Sequence, residues 1–344
     1  MSKDFEEAST RPFAFVDALP EPSLVVRGGV VVAGNAAARA VLGDSCEGED
    51  IRLVIRQPAA LERLLRSGPA DEEIELFGLG GFERRWMMSV AAVDDDAKLV
   101  RLTDRSEAHA AEQMRVDFVA NASHELRTPL ATLVGYAETL REQGDDLDAA
   151  TRSRFTGIVH DEARRMQRLV EDLISLSRIE AERFTAPTDA LDLQPLVEEA
   201  VSLCQTSASE RGCDLKISVA DGLPRVAGDR AQLLQVLDNL ISNGIRYGRT
   251  GGPITIAAAA EGETIHLRVS DVGEGVAPEH IPRLTERFYR VDASRSRTQG
   301  GTGLGLSIVK HIVERHRGRL SIESRLGAGT TVHVHLPKAE KASS

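Results

Sequence analysis

The sequence predicts a multidomain α+β chain: a small N-terminal α+β unit, a long helical hairpin and a C-terminal α/β sandwich. Three observations carry this prediction. At 344 residues the chain exceeds what one hydrophobic core ordinarily organises, so two or three domains follow. Between about residues 105 and 183 proline and glycine become scarce, and apolar residues recur every three or four positions, the period of an α-helix. Beyond about residue 190, helical and strand-like runs alternate to about residue 337, as in a layered α/β domain. The expected order is a tail over 1–12, a first domain over 13–103, the hairpin over 104–184, a linker over 185–191, the last domain over 192–337 and a tail over 338–344.

In the first domain, strands are predicted over 23–26, 30–33 and 85–93, with Gly28 and Gly29 at a hairpin turn and helices over 36–42 and 59–65. In the hairpin, Met114, Phe118, Ala122, Leu126, Pro129, Leu133, Tyr136 and Leu140 fall on one stripe at about 100° per residue. After a turn over 144–148, Phe155, Ile158, Met166, Leu169, Leu173 and Leu176 form a second stripe. Two amphipathic helices bury such stripes poorly, so residues 104–184 are expected to form a homodimer closed as a four-helix bundle. In the last domain, helices are predicted over 193–211, 232–247 and 306–316, and strands over 215–219, 253–259, 264–270, 319–324 and 330–336. No repeat with a period of 20–50 residues is visible, which disfavours a solenoid.

Composition narrows the function classes. A chain 42% apolar and 28% charged is globular, and 53 acidic against 42 basic residues give a net charge of -11. That balance argues against a nucleic-acid surface. Cys46, Cys204 and Cys213 are too few and too scattered for a disulfide framework or a zinc site, which fits a reducing compartment. The N-terminus lacks the basic flank and apolar run of a signal peptide, and no run approaches the ~18 apolar residues of a spanning helix. A cytoplasmic chain is expected.

Two sites carry chemistry. His124 points roughly 140° from the first apolar stripe, towards solvent. Its imidazole is substantially neutral near pH 7 and can act as a nucleophile, with Glu125 beside it able to take a proton or hold the tautomer. Thr128 lies one turn further along the same side, and Pro129 removes a helical hydrogen bond, so a kink is expected there. Far downstream, a glycine-rich run over 300–306 leads directly into a helix, where free backbone N–H groups can meet phosphate oxygens. It is neither a P-loop nor a dinucleotide fingerprint. Asn239 and Asn243 stand one helical turn apart, and Asp271 with Gly273 and Gly275 emerges at a strand tip. His333 and His335 share one face of the last strand; a metal pair and two ordinary exposed residues are both compatible with that spacing, the second being the commoner case.

The run 118–130 around His124 resembles the H-box of bacterial two-component sensor histidine kinases. The resemblance implies that His124 is the phosphoacceptor, Glu125 the assisting base and Thr128 a support for dephosphorylating a partner regulator. Residues 238–247 resemble the N-box, implying that Asn243 coordinates Mg²⁺, Asn239 supports it, and Arg246 and Tyr247 contact nucleotide; Arg246 stands where lysine is more usual. Asp271, Gly273 and Gly275 resemble the G1 box, implying that Asp271 accepts from the adenine amino group. Residues 287–290 resemble the F-box, with Arg290 expected at the nucleotide and Leu284 and Thr285 standing where a further aromatic is common. Gly301, Thr302, Gly303, Leu304, Gly305 and Leu306 resemble the G2 box of the GHKL ATPase fold. Residues 19–24 followed by 35–38 resemble a PAS sensor domain, with a packing module that binds no ligand as the alternative. The family implies ATP and Mg²⁺ as cofactors, a homodimer, and a cognate response regulator that receives the phosphoryl group on an aspartate. Residues 283–292 and 310–316 resemble the phosphate-regulon branch, which implies a membrane transport or sensor partner and peripheral inner-membrane association. The alternatives are a scaffold or regulator phosphatase using its ATP domain as a nucleotide sensor, opposed by intact His124 and loop glycines, and a chaperone-like or topoisomerase-like ATPase. The latter leaves the H-box unexplained and has Asn239 at its general-base position.

Overall fold

The computed structural model describes residues 13–65, 73–81, 84–144, 146–291 and 301–339. The tail over 1–12, Asp292, Gly300 and the last residues of the C-terminal tail, 340–344, lie outside the described residues. The chain forms two compact units, Met1–Val119 and Ala120–Ser344.

The first unit opens on a 3₁₀ turn at Ala14–Ala18, then β1 (Ser23–Arg27) and β2 (Val30–Gly34), joined through Gly28 and Gly29 at φ 57° and 86°. A short loop of two left-handed residues is the geometry that closes an antiparallel pair, and glycine adopts it without steric cost. Helix α1 (Ala36–Leu42) starts at Asn35, whose side chain accepts from Ala38 N at 2.8 Å; α2 (Ile51–Val54) and α3 (Pro58–Leu65) follow. Strands β3 (Ile74–Phe77), β4 (Arg85–Ala92) and β5 (Ala97–Asp104) complete an antiparallel sheet in the order β2-β1-β5-β4-β3. Its core is Leu24, Ile51, Leu76, Trp86, Met88 and Leu102 with their neighbours.

Helix α4 (Ser106–Gln143) runs from this unit into the second and remains helical through Pro129, which is buried. Helix α5 (Ala149–Ala181) returns after a turn capped by Asp148, whose carboxylate accepts from Thr151 N. Tyr136 and Phe155 meet edge-on across the hairpin at 4.9 Å. On α5, Leu169, Leu176 and Ile179 are buried, each worth about 1.5–3 kcal/mol. Leu130, Val134, Val170 and Ile174 remain 42–60% exposed.

The rest of the second unit contains β6 (Ala190–Leu191), α6 (Leu193–Glu210), β7 (Asp214–Val219), β8 (Val226–Ala227), α7 (Arg230–Tyr247), β9 (Pro253–Glu261), β10 (Thr264–Asp271), α8 (Gly305–Arg315), β11 (Arg319–Arg325) and β12 (Gly329–Pro337). Five strands form a mixed sheet in the order β11-β12-β10-β9-β7, and β6 pairs with β8. Alternation along β10 sends Ile265, Leu267 and Val269 into the core and leaves His266 and Arg268 on the other face. Helices α6, α7 and α8 cover the apolar side: Leu233, Leu237, Ile241, Ile308, Val309 and Ile312 are all buried. Helix α8 also packs against α5, joining the mixed sheet and its helices to the hairpin within one unit.

Candidate functional site

His124 lies on α4 with an exposed side chain, and among the described residues its ring makes no hydrogen bond. The sequence around it loosens the helix. Pro129 has no N–H to give the carbonyl of Glu125, and Thr128 Oγ1 donates back to the carbonyl of His124 at 3.4 Å. Glu125 faces a different neighbour from His124. Its Oε2 accepts from Arg290 Nη2 at 3.0 Å and lies 3.6 Å from Arg165 Nη2 on α5.

Arg290 is the joint of the site. Its side chain is 7% exposed, and besides Glu125 it donates to the carbonyl of Gly301. Glu125 and the glycine-rich loop therefore share one guanidinium, although 165 residues separate Glu125 from Arg290. Burying a guanidinium is costly unless charge and hydrogen bonds meet it. Among the described residues its Nε has no partner, and it is screened from solvent, leaving a donor for an incoming acceptor.

Around this joint, Thr302 Oγ1 donates to Asp172 Oδ2 on α5 at 2.7 Å, and burial pushes the Asp172 carboxyl above its ordinary range. Phe288 N donates to Gly303 O at 2.8 Å, which ties the segment before Arg290 to the loop. Gly305 lies against α7: a Cβ there would sit 2.7 Å from Asn239 Oδ1, while Asn239 Nδ2 donates to Gln235 O at 3.0 Å. Leu304 is buried, and Leu306 enters α8.

Helix α7 carries the site in the other direction. Asn239 is at the loop, Asn243 is half-buried one turn on, and Arg246 and Tyr247 are at the end. Eight residues along a helix span about 12 Å. At that end, Gly273 fits only as glycine, because a Cβ would lie 2.6 Å from Tyr247 O, and Gly248 approaches the side chain of Asp271. Asp271 is half-buried; desolvation raises its pKa from 3.8 to about 6, against a hydrogen bond from the Thr330 backbone that lowers it. Gly275, at φ 67°, is pressed against Arg325. The candidate residues thus fall into three places, His124 and Thr128 on the exposed flank of α4, the loop cluster about Arg290, and the Asp271 cluster at the far end of α7, with Asn243 on α7 between the last two.

A polar edge of α5, continued by the capping residue Glu182 just past its end, is a component that sequence reasoning missed. Arg165, Arg168, Asp172, Ser175 and Glu182 recur at three- and four-residue steps, apart from Ile179 in the place of one. Asp172 holds Thr302; Ser175 Oγ donates to Gln235 Oε1 at 2.8 Å; Glu182 meets Arg315 at 2.8 Å; and Arg168 lies near enough to Arg246 for their charges to oppose each other. Glu180, next to Ile179, pairs with Arg287. The signal was a second helical stripe beside the apolar one, made of charged residues and therefore indistinguishable from a solvated face.

Comparison with known proteins decides the family. Residues 114–182 match the His Kinase A (phospho-acceptor) domain, and residues 228–340 match the histidine kinase-, DNA gyrase B- and HSP90-like ATPase. The phosphate regulon sensor protein PhoR of Pseudomonas aeruginosa is 34% identical over 98% of this chain and 78% of its own length. The chain belongs to the sensor histidine kinases. A second relative of this kinase, the sensor-like histidine kinase SenX3 of Mycolicibacterium smegmatis, is 38% identical over 71% of the chain and 64% of its own length. Among solved structures, the histidine kinase ThkA in complex with the response regulator protein TrrA covers 95% of the kinase, and the kinase covers 98% of that chain. At 18% identity and a TM-score of 0.52, that likeness shows the shared fold. No helix of the kinase, among the described residues, is long and apolar enough to cross a membrane.

Proposed function

We propose that the kinase transfers the γ-phosphoryl group of ATP to His124 and then to an aspartate of a cognate response regulator. The observation that carries this reading is the Arg290 bridge, which links Glu125, the residue next to His124, to the carbonyl of Gly301 in the glycine loop. Phosphoryl transfer needs little covalent help from a protein; it needs the donor and acceptor aligned and the developing charge met. Arg290, Arg165 and Arg246 supply positive charge around that loop, and the glycines of 301–305 leave its backbone bare.

ATP with Mg²⁺ fits the residues present. The Asp271 carboxyl is a half-buried acceptor suited to an adenine amino group, and the span of about 12 Å along α7 separates it from the loop, as a base is separated from its triphosphate. Asn243 lies between them and makes no side-chain hydrogen bond among the described residues; its carboxamide oxygen is a hard donor of the type Mg²⁺ takes together with phosphate oxygens. When bound, the metal would neutralise triphosphate charge. Glu125 is placed to accept a proton or hold the tautomer of the neighbouring His124, and exchanging its contact with Arg290 for one with the imidazole would free Arg290 for phosphate.

The family's phospho-acceptor domain and the uncovered apolar rows on α4 and α5 support a homodimer through 104–184. The regulator complex of ThkA supports a regulator partner, and the likeness to PhoR supports phosphate signalling. Helices between β2 and β3 of a five-stranded sheet support the PAS-like reading of the first unit. Thr128, exposed beside His124, suits the positioning of a water for regulator dephosphorylation.

One experiment tests the core of the reading. Incubated with Mg²⁺ and γ-labelled ATP, the purified chain should acquire label that is lost in acid and kept in alkali. His124→Gln should abolish the label and leave ATP binding unchanged, whereas Thr128→Ala should keep the label and slow dephosphorylation of a regulator about tenfold or more. Acid-labile label persisting in His124→Gln would refute the phosphoacceptor assignment.

A further inference from the structure

The outer face of the ATPase sheet, opposite the layer of helices, carries a histidine cluster that the phosphoryl-transfer reading does not use. His266 on β10 stands directly across from His335 on β12, and the two rings stack at 4.4 Å and 6°. Glu261, at the end of β9, brings one carboxylate oxygen to both: Oε2 is 3.5 Å from His266 Nδ1 and 3.2 Å from His335 Nε2. We propose that Glu261, His266 and His335 form a binding site for a divalent transition-metal ion of the Zn²⁺ class.

The geometry favours a ligand over a surface accident in two respects. The three donor atoms lie within 4.8 Å of one another, so side-chain rotations that unstack the two rings bring them to coordination distance. The rings are also preset. His266 uses its other nitrogen, Nε2, in a 2.9 Å hydrogen bond with His333 Nδ1, and His333 Nε2 lies 3.7 Å from Glu323. With Nε2–H of His266 donating to His333, Nδ1 presents its lone pair towards Glu261; this is the relay by which an outer residue fixes the tautomer of a metal-binding imidazole. The His335 ring is anchored through Nε2 towards Glu261, its Nδ1 being buried without a partner among the described residues.

Two imidazoles and one carboxylate leave a fourth tetrahedral position for water, a donor set that suits Zn²⁺, Cu²⁺ or Ni²⁺ rather than Mg²⁺ or Ca²⁺. The site is separate from the nucleotide residues by strand parity. Asp271 continues the series 265, 267 and 269 that faces the core, whereas His266 faces away from it. A bound ion would clamp β12 to the β9–β10 hairpin from outside.

The full chain, prepared without an affinity tag and stripped of metal and nucleotide, would be titrated with ZnCl₂ by calorimetry and with Co²⁺ by visible absorption. One equivalent should bind, excess Mg²⁺ should not displace it, and Zn²⁺ should raise Tm. His266→Gln or His335→Gln should abolish stoichiometric binding, and His333→Gln should weaken it roughly 10–100-fold by releasing the relay. All three side chains lie off the apolar core, so folding is checked by circular dichroism and nucleotide binding. Absence of saturable binding to the wild type, or binding unchanged in both His266→Gln and His335→Gln, would overturn the site.

Discussion

Asp271 ends β10 with a half-buried carboxyl, and burial lifts its pKa from 3.8 to about 6. The folded protein therefore holds this proton to higher pH than the unfolded chain does. Stability falls as pH rises from about 4 to about 6, and the full desolvation penalty is present above that. Asp271→Asn removes the charge and keeps a carbonyl for the Thr330 backbone. Its Tm should exceed that of the wild type at about pH 8 and converge with it at about pH 4, while ATP affinity falls sharply at both. Equal Tm values at the higher pH would show that burial does not set the pKa. The tolerated penalty is what a ligand-binding group looks like in energetic terms. At this scale the sequence was readable where a residue's chemistry is unusual in its place, as with Asp271 beside two glycines at a strand tip. It was unreadable where the partner decides: Glu261 and His266 are unremarkable on their own strands, and only pairing with β12 brings them to His335.

At the scale of elements, the glycine loop and the segment before it constrain each other. Gly303 sits at φ 74°, and a Cβ there would lie 2.9 Å from Phe288 Cα, while Phe288 is itself held at φ 62°. Left-handed backbone costs a residue with a side chain roughly 1–2 kcal/mol before any clash is counted. Gly303→Ala should therefore weaken binding of a non-hydrolysable ATP analogue at least tenfold, measured by calorimetry, with the helical content unchanged. Undiminished affinity would mean that the contact with Phe288 does not shape the loop. Helix and strand types were legible because each face meets one environment: β10 alternates cleanly, and α7 buries Leu233, Leu237 and Ile241 on one side. The short strand β3 and helix α2 escaped notice because four residues give no period to read. On α5, the apolar stripe was legible, whereas the neighbouring polar edge acquires meaning only when the ATPase layer is placed against it.

For the whole molecule, one copy of the hairpin leaves Leu130 and Val134 on α4, and Val170 and Ile174 on α5, largely in water. Exposed rows of this kind mark an interface, and the proposed dimer covers them. Ile174 is 60% exposed in the single chain, so Ile174→Glu costs the monomer little. Light scattering should report a dimer for the wild type and a monomer for this variant, with ATP still bound; a variant that remains dimeric would place the interface elsewhere. The fold class was readable from the order of periodicities along the chain, because each domain announces its own.

The Arg290 bridge also has a consequence for timing. While the ATPase layer rests on the hairpin, Glu125, Asp172 and Glu180 are already engaged by Arg290, Thr302 and Arg287. Under the proposed function, a regulator collecting a phosphoryl group from His124 on α4 would approach this same hairpin. Charging and delivery would then be successive tenancies of one surface, and a crowd of regulator molecules should slow the recharging of the kinase that serves them.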